Sequence, residues 1–489
     1  MGSVLLLAFV VGLAFQGSRG LFETTEGRYA ESAREMLETG NWLIPQLDYL
    51  PHWTKPPMTY WGIAAGLAVL GRNEWGARIF EVFVFVILVW TIGRIGTLMW
   101  DRRTGVVSAL LYAVAPFSVY AANSVNTDLL LAMWDTLVVL CYFEAQSRAR
   151  SRVWITAMWL CAGLAFLTKG PPGLLVLLSL FAYQYYLKRT GRPRVPIVSA
   201  LGLLTFLVVG GAWFVMVIVQ TPGLLSYFLG EEVYGRIFTA HFHRNPQWYG
   251  PIAVYLPPLL LGIGPFAAIW FVLLARHRKA LHWRAAKDFF LSNDRFAFLV
   301  FWLLLPLIAL SISQSRLPLY VLPFFSAVVL AGARALVLWF DGPRFNRRLW
   351  TTALIMAAVM VIAKGALAYV PLSPNMRQFD HRCNQVRQGD TAFFAYESDY
   401  LHGFQFYLDG QLGRLVDNPP ANAPDRGIDF VLNEAKTQPA HDTYVFLTTS
   451  VRNRQSLAGH LDAAGLVYNT VPGKGRYTIF VVACQRAAT

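Results

Sequence analysis

Long apolar runs without charge constrain this fold more than any other feature. Residues 195–220 and 251–275 contain no Asp, Glu, Lys or Arg. A helix of about 20 apolar residues crosses the roughly 30 Å of hydrocarbon in a bilayer and satisfies its own backbone hydrogen bonds. Charged residues make up only 14% of the 489 residues, whereas about a quarter is usual in soluble proteins. The sequence therefore predicts a polytopic α-helical membrane protein.

Eleven apolar segments are predicted to span the membrane. They cover residues 3–17, 79–99, 105–121, 129–145, 153–168, 171–187, 195–220, 251–275, 296–312, 317–338 and 349–369. The stretch 58–71 has only 14 residues and follows two prolines, so we interpret it as an interfacial or re-entrant helix. The first segment lacks a basic leader and an A-x-A-like cleavage site, which favours a retained helix over a signal peptide.

Basic residues are distributed unevenly between the two sets of connections. Five alternate connections hold 17 Lys and Arg residues, while the opposite short connections hold only Lys169, Arg236, Arg244 and Arg316. By the positive-inside rule the basic side is cytoplasmic. The first outer loop (18–78) and the residues after 370 then lie outside. The net charge of +14 is explained by this asymmetry, and no nucleic-acid partner is predicted.

The chain after residue 370 changes character. Strand-like runs such as "TAFFAYES", "GRLVDN", "DTYVFLTTS" and "YTIFVVAC" alternate with Gly, Pro and Asn, and a helix is predicted at 453–465 with Gly465 at its end. We therefore divide the chain into a transmembrane catalytic domain (1–370) and a small extracytoplasmic α/β domain (371–489). Cys383 and Cys484 both lie in the second domain, where a disulfide and two free thiols are both open.

The first outer loop begins with a dense run of charge, "LFETTEGRYAESAREML" at 21–37. Apolar residues fall at helical spacing from Tyr29 onward, and charged residues occupy the other face. Thr24 or Thr25 is placed to cap the helix, with Glu26 in its first turn. One interpretation is an amphipathic helix lying on the bilayer; the other is a catalytic floor whose carboxylates include Glu26 and Glu23.

Further polar residues lie at the same predicted membrane face. Lys55 stands among belt aromatics in "LPHWTKPPMTYW", and Asp128 begins a span, with Asp135 two turns along the same helix face. Carboxylates inside a bilayer usually mark polar cavities, and we take Asp128 as the better catalytic candidate. Other polar groups at this face are Lys169, Arg244, Arg316 and Tyr320. Together these cations and carboxylates indicate a reaction on an anionic lipid, with cations holding a phosphate and a carboxylate activating an acceptor.

Metal and nucleotide sites find little support in the sequence. His241 and His243 are spaced like metal ligands, with Glu231 and Glu232 nearby, so a divalent metal is a minor alternative to a reaction without a cofactor. There is no Walker A motif, no G-x-G-x-x-G and no H-E-x-x-H. No metal ligands are assigned, and a nucleotide-driven enzyme is not predicted.

Six stretches occur in the order of a known family. They are "EGRYAESAREMLETGNWLIPQL", "KPPMTYW", "NTDLLLAMW", "GLAFLTKGPPGLL", "RNPQWYG" and "SQSRLPLYVLP". Over about residues 20–330 the chain resembles the GT-C glycosyltransferases, specifically the bacterial aminoarabinose (lipid A) transferase and protein O-mannosyltransferase-like group. The resemblance implies an inverting transferase that works at the outer face of the bacterial cytoplasmic membrane. Such an enzyme moves a sugar from a polyprenyl-phosphate-linked donor to a glycolipid, glycan or protein acceptor. Its expected partners also include membrane lipids.

The resemblance also implies roles for individual residues. Asp128 matches the acidic residue of the second outer loop. The positions associated with the lipid phosphate match Lys55, Arg244 and Tyr320, and the charged entry to the first juxtamembrane helix matches Arg28 and Tyr29. Thr25 and Thr54 stand where the family usually has acidic residues, so Glu26 or Glu23 would replace the first-loop aspartate, or Asp128 would carry more of the work. The alternative outside this class is a lipid or solute transporter without chemistry.

Overall fold

The computed structural model describes most of the chain. The described residues are 1–23, 25–148, 151–240, 242–268, 272, 275, 290–340, 342–370, 375–397, 401–419, 426–473 and 477–484. They form a large helical bundle, two short loop strands, and a mixed sheet with helices near the C-terminus.

Apolar helices make up the bundle. Its α-helices are Gly2–Leu13, Thr25–Thr39, Met58–Leu70, Glu74–Met99, Arg102–Val114, Pro116–Ala122, Thr127–Ser147, Ser151–Lys169, Leu175–Arg189, Ala200–Phe206, Ala212–Gln220, Leu224–Tyr227, Arg236–Phe238, Gly250–Leu261, Asp294–Ile312, Leu322–Trp339 and Pro343–Tyr369. Wider π-helical turns occupy Leu207–Gly211 and Phe228–Gly235, and 3₁₀ turns occupy Pro171–Leu174, Gly264–Ala267 and Pro318–Val321. The buried apolar faces of most of these helices form one core, to which Phe85, Tyr142 and Phe298 belong. The helices Thr25–Thr39 and Met58–Leu70 pack together in a second cluster, and Ala212–Gln220 packs in a third.

Six helices in the described chain are long and apolar enough to cross a membrane: Glu74–Met99, Ser151–Lys169, Ala200–Gln220, Asp294–Ile312, Pro318–Trp339 and Pro343–Tyr369. The pair Arg102–Val114 and Pro116–Ala122, bent by 60°, makes a seventh if it is one span. The predicted count of eleven is therefore not confirmed. Helix Gly2–Leu13 is short, and the largely buried helix Thr127–Ser147 carries Asp128, Asp135 and Glu144.

The stretch predicted not to span forms the helix Met58–Leu70. Its 13 residues measure about 20 Å at 1.5 Å per residue, which is shorter than the hydrocarbon layer. Gly71 follows it with a positive φ of 86°, and Asn73 caps the next helix by accepting a hydrogen bond from the Gly76 amide. The chain therefore turns back at once into Glu74–Met99.

A six-stranded mixed sheet lies near the C-terminus. After the loop hairpin of β1 (Gln46–Leu47) and β2 (Leu50–Pro51), its strands are β3 (Thr391–Tyr396), β4 (Leu412–Val416), β5 (Arg426–Gly427), β6 (Thr443–Thr448), β7 (Tyr468–Pro472) and β8 (Thr478–Ala483). The order is β5-β4-β3-β6-β8-β7; the first four are parallel, and β8 pairs antiparallel with β6 and β7. The accompanying helices are Met376–Val386, His402–Tyr407, Ile428–Thr437 and Val451–Ala464.

Several C-terminal predictions are confirmed. The four strand-like runs form β3, β4, β6 and β8, and the predicted helix appears as Val451–Ala464. Gly465 ends that helix with a left-handed φ of 70°, which costs glycine least because it has no Cβ. Cys383 and Cys484 are free thiols. The domain division at residue 370 stays a prediction.

The first outer loop contacts both the bundle and the C-terminal sheet region. The Met376 amide donates to the Leu21 carbonyl at 2.9 Å. A Cβ on Gly27 would lie 2.5 Å from the backbone of Gly403, so these two segments meet at a distance that only glycine allows. The loop is thus fixed between the membrane helices and the sheet.

Candidate active site

A cavity of about 480 Å³ opens between the first outer loop and the ends of several membrane helices. Its wall is mainly apolar and aromatic, with Phe166, Phe214, Phe228 and Phe324 among the lining residues. The charged residues that line it are Lys55, Lys169, Glu232 and Arg236. Three cations and one carboxylate thus face a cavity whose remaining lining is mostly apolar.

On one side of the cavity, Lys55 and Arg236 share the carboxylate of Glu232. The Lys55 ammonium lies 3.5 Å from Glu232 Oε2, and both side chains are mostly buried, with 16% and 14% exposed. Arg236 donates to both oxygens of Glu232, at 2.8 and 2.7 Å. Glu232 lies in the π-helical turn Phe228–Gly235, a type of turn that is frequent at functional sites.

The ionisation of these groups follows from their surroundings. Burial, together with the neighbouring cations, lowers the pKa of Lys55 to about 7 against the opposing effect of Glu232. Burial alone would raise the pKa of Glu232, but Lys55 and Arg236 hold it below its usual range. The single nearby carboxylate therefore does not keep Lys55 fully protonated, and an anionic ligand would supply the additional negative charge.

On the other side, Lys169 forms an ion pair with Asp128. Asn126 caps the helix Thr127–Ser147 by accepting from the amides of Asp128 and Leu129, at 2.9 and 3.0 Å, which fixes Asp128 in the first turn. Lys169 also stands 4.1 Å from the ring centroid of Tyr320, a cation–π contact. Asp128 lies behind Lys169 and is not among the residues lining the cavity.

Arg244 and Arg316 shape the loop beside the cavity. Arg244 donates to the Tyr320 hydroxyl at 3.2 Å. The Arg316 guanidinium donates to the carbonyls of Asn245 and Gln247, at 2.8 and 3.0 Å, and to that of Ser311 at 3.1 Å. Tyr320 therefore links Arg244 to the cavity, while Arg316 supports the backbone.

Glu26 is not among the residues that line the cavity. Its carboxylate accepts two hydrogen bonds each from Arg19 and Arg78, and one each from the Phe22 and Val125 amides. Burial alone would raise its pKa, but Arg78 and Arg19 lower it to about 2. All its acceptor positions are used, and this geometry favours a positioning role over proton transfer.

The other first-loop candidates lie around Glu26. Glu23 Oε2 accepts from the Gly403 amide at 2.7 Å and so joins the loop to the sheet region. Tyr29 is buried against Tyr60, with ring centroids 5.5 Å apart, and Arg28 stands 5.6 Å from the Tyr29 ring centroid. The charge of Arg28 also contributes to lowering the pKa of Lys55.

Two cavity residues had only minor parts in the sequence analysis. Arg236 appeared as one of the outer cations, and Glu232 as a neighbour of possible metal ligands. Their spacing of four residues is the signal that was available, since it places both on one helical face. In the described chain no group of three or more His, Cys, Asp and Glu residues is placed to hold a metal; His241 lies outside the described residues.

Comparison with known proteins gives three findings. Residues 54–229 match the family model of dolichyl-phosphate-mannose-protein mannosyltransferases. Over 379 residues the chain is 31% identical to the undecaprenyl phosphate-α-4-amino-4-deoxy-L-arabinose arabinosyl transferase of Pseudomonas savastanoi pv. phaseolicola, covering 76% of this chain and 67% of that protein. Over 325 residues it is 28% identical to the protein of the same name from Photorhabdus laumondii, covering 65% of this chain and 55% of that protein. The chain thus matches between about half and two thirds of these relatives.

The fold is also that of a solved structure. ArnT from Cupriavidus metallidurans, crystallised with undecaprenyl phosphate, superimposes with a TM-score of 0.72 at 20% sequence identity, and the match covers 98% of each chain. At this identity the likeness concerns the fold, which is the helical GT-C fold with an added sheet.

Proposed function

Because this chain belongs to the GT-C family of undecaprenyl phosphate–aminoarabinose transferases, we propose that it moves a sugar from an undecaprenyl-phosphate-linked donor to an acceptor, with inversion at the anomeric carbon. The single observation that carries the proposal is the convergence of Lys55, Lys169 and Arg236 on one cavity with apolar walls. Such a site matches a lipid phosphate, which has an anionic head and an apolar chain.

The three cations would hold and neutralise the phosphate as it leaves the sugar. Lysine acts as a point charge toward phosphate, and arginine offers a planar fork of donors. Their charge stabilises the leaving group most when the bond to the sugar breaks, so it accelerates transfer rather than only binding. The aromatic walls, which include Phe166 and Phe214, would take the first isoprene units.

Asp128 and Glu26 would set the geometry of this site. Asp128 pairs with Lys169 and would keep its ammonium charged and directed at the phosphate. Glu26 accepts from the Val125 amide at 3.1 Å, three residues before Asp128, and so would fix the loop that carries it. Arg28, Arg244 and Tyr320 would contact the donor from the edges of the cavity.

The membrane arrangement is part of the proposal. With the eleven predicted spans and the basic connections in the cytoplasm, the cavity and residues 371–489 would lie on the extracytoplasmic side of the bacterial inner membrane. The acceptor would be a glycolipid, glycan or protein that meets the donor there. The C-terminal sheet region, joined to the first loop through Glu23 and Gly403, is placed to contact it.

Release of undecaprenyl phosphate tests this function. Purified protein is incubated with a pool of undecaprenyl-phosphate sugars and a membrane extract as acceptor, beside Lys55→Met and Lys169→Met. Arg72→Met is the matched control, since Arg72 is a half-exposed first-loop cation outside the cavity that pairs with Asp409. We expect release by the wild type and the control, and loss of release in both cavity variants. Binding without release from any donor would instead favour a transporter.

A further inference from the structure

Transfer to a hydroxyl or amine acceptor needs a group that accepts the acceptor's proton, and the cavity offers one carboxylate for it. Among the described residues that line the cavity, Glu232 is the only Asp or Glu. The sequence candidates lie elsewhere: Asp128 stands behind Lys169, and Glu26 is enclosed by Arg19 and Arg78. Thr54, which also lines the cavity, cannot serve as a carboxylate base. We propose that Glu232 is the catalytic residue that deprotonates the acceptor.

The position of Glu232 suits this role in two respects. Its carboxylate lies 3.5 Å from Lys55, one of the groups proposed to hold the phosphate, so it stands close to the bond that must break. Its side chain is 14% exposed, which leaves it reachable from the cavity while excluding most water. A general base has to lie within hydrogen-bond reach of the proton that it removes.

Binding of the donor would free Glu232 for proton transfer. The carboxylate is held by Lys55 and by both hydrogen bonds from Arg236. A phosphate entering between these cations competes for the same N–H donors, because they cannot serve both anions fully. Loss of positive partners raises the basicity of a carboxylate. The donor would therefore activate the base only when it is itself in place.

In this transfer each bond that forms is matched by one that breaks. The acceptor hydroxyl oxygen, or amine nitrogen, forms a bond to the anomeric carbon. The bond from that carbon to the phosphate oxygen breaks, and its electron pair leaves with undecaprenyl phosphate. The acceptor proton passes to Glu232, and Lys55, Lys169 and Arg236 neutralise the departing phosphate. This inference rests on the proposed function, since it assigns the base of that reaction.

Substitution combined with an anionic acceptor tests the role. Azide has no proton to lose, so its attack on the anomeric carbon needs no base. We expect Glu232→Gln to slow transfer to the natural acceptor by about 10²–10⁴-fold. Its affinity for undecaprenyl phosphate should stay within about threefold of that of the wild type. With sodium azide as acceptor the variant should regain turnover and form a glycosyl azide. Glu231→Gln is the matched control, because Glu231 is the neighbouring glutamate, is exposed, and does not line the cavity. It is expected to behave as wild type.

Other outcomes overturn the assignment. Full turnover by Glu232→Gln would show that it is not the base. Slow transfer with weakened binding of undecaprenyl phosphate, and without recovery in azide, would show that Glu232 only arranges the cations. If the Gln variant does not fold, Glu232→Asp replaces it. Its carboxylate lies one methylene further from the acceptor, so transfer should be at least tenfold slower and should recover in azide. Unchanged turnover of this variant would refute the role. No release by the wild type refutes the proposed function itself, which separates the two failures.

Discussion

Replacing Glu26 with Gln separates a positioning role from a catalytic one. The carboxylate is 4% exposed and accepts from two buried arginines. Glu26→Gln keeps the shape but removes the charge, so Arg19 and Arg78 lose the counter-charge that they share. We expect a clear loss of stability, with turnover per folded molecule lowered far less than by the cavity variants Lys55→Met and Lys169→Met.

The size of this loss follows from the ionisation of Glu26. Its pKa falls from an ordinary 4.5 to about 2, and one pKa unit is worth about 1.4 kcal/mol, so the charged form contributes roughly 3 kcal/mol to folding. Removing one partner of a buried ion pair costs about 3–5 kcal/mol, in agreement. Because the folded pKa is depressed, this stability is fully present above pH 4.5 and is lost as the pH falls toward 2.

Thermal unfolding in detergent at pH 7, followed by tryptophan fluorescence, measures the effect. The control is Glu38→Gln, since Glu38 also pairs with an arginine but is 40% exposed, and exposed pairs contribute at most about 1 kcal/mol. We expect a much larger fall in Tm for Glu26→Gln than for the control. An unchanged Tm together with abolished turnover would refute the positioning role and restore Glu26 as a catalytic carboxylate.

With a pKa of about 7, roughly nine in ten Lys55 side chains are neutral at pH 8. Binding of an undecaprenyl-phosphate sugar should therefore take up nearly one proton per protein at pH 8 and almost none at pH 6. Calorimetry in buffers of different ionisation enthalpy measures this, and equal uptake at both pH values, or uptake by Lys55→Met, would contradict it. Asp128→Asn should lower turnover by roughly 10–150-fold, which corresponds to the loss of a hydrogen bond to a charged group, and should raise the KM for the donor. Asp135→Asn, at a buried position of the same helix, should change neither quantity. Recovery of Asp128→Asn turnover in azide would instead make Asp128 the base. Burial, and then Glu31, raise the pKa of Glu35 to about 8, so the protein loses stability as the pH rises from 4.5 to 8. Glu35→Gln should therefore raise Tm at pH 9 and leave it unchanged at pH 5; equal shifts at the two pH values would contradict this.

Elements whose signal is local could be predicted from the residues alone. Long uncharged runs became apolar helices because a helix satisfies its backbone internally in hydrocarbon. Gly465 ended its helix because glycine adopts the left-handed conformation at little cost. The alternating runs after residue 390 became strands of one sheet, and "NTD" became a capped helix start with Asn126 in the capping position. Lys55, Lys169 and Tyr320 were assigned to the outer face through motifs, and the structure brings all three to one cavity.

Tertiary packing determines which carboxylate faces the cavity, and the local sequence does not. Glu26 and Glu232 are both acidic residues of predicted outer loops, and nothing local distinguishes them. Arg78, which lies 52 residues from Glu26 in sequence, donates to its carboxylate, and Glu26 does not line the cavity. Lys55, far from Glu232 in the chain, stands beside it and completes a charged lining. The role open to a buried charge depends on its partners, and those partners are chosen by packing between distant segments.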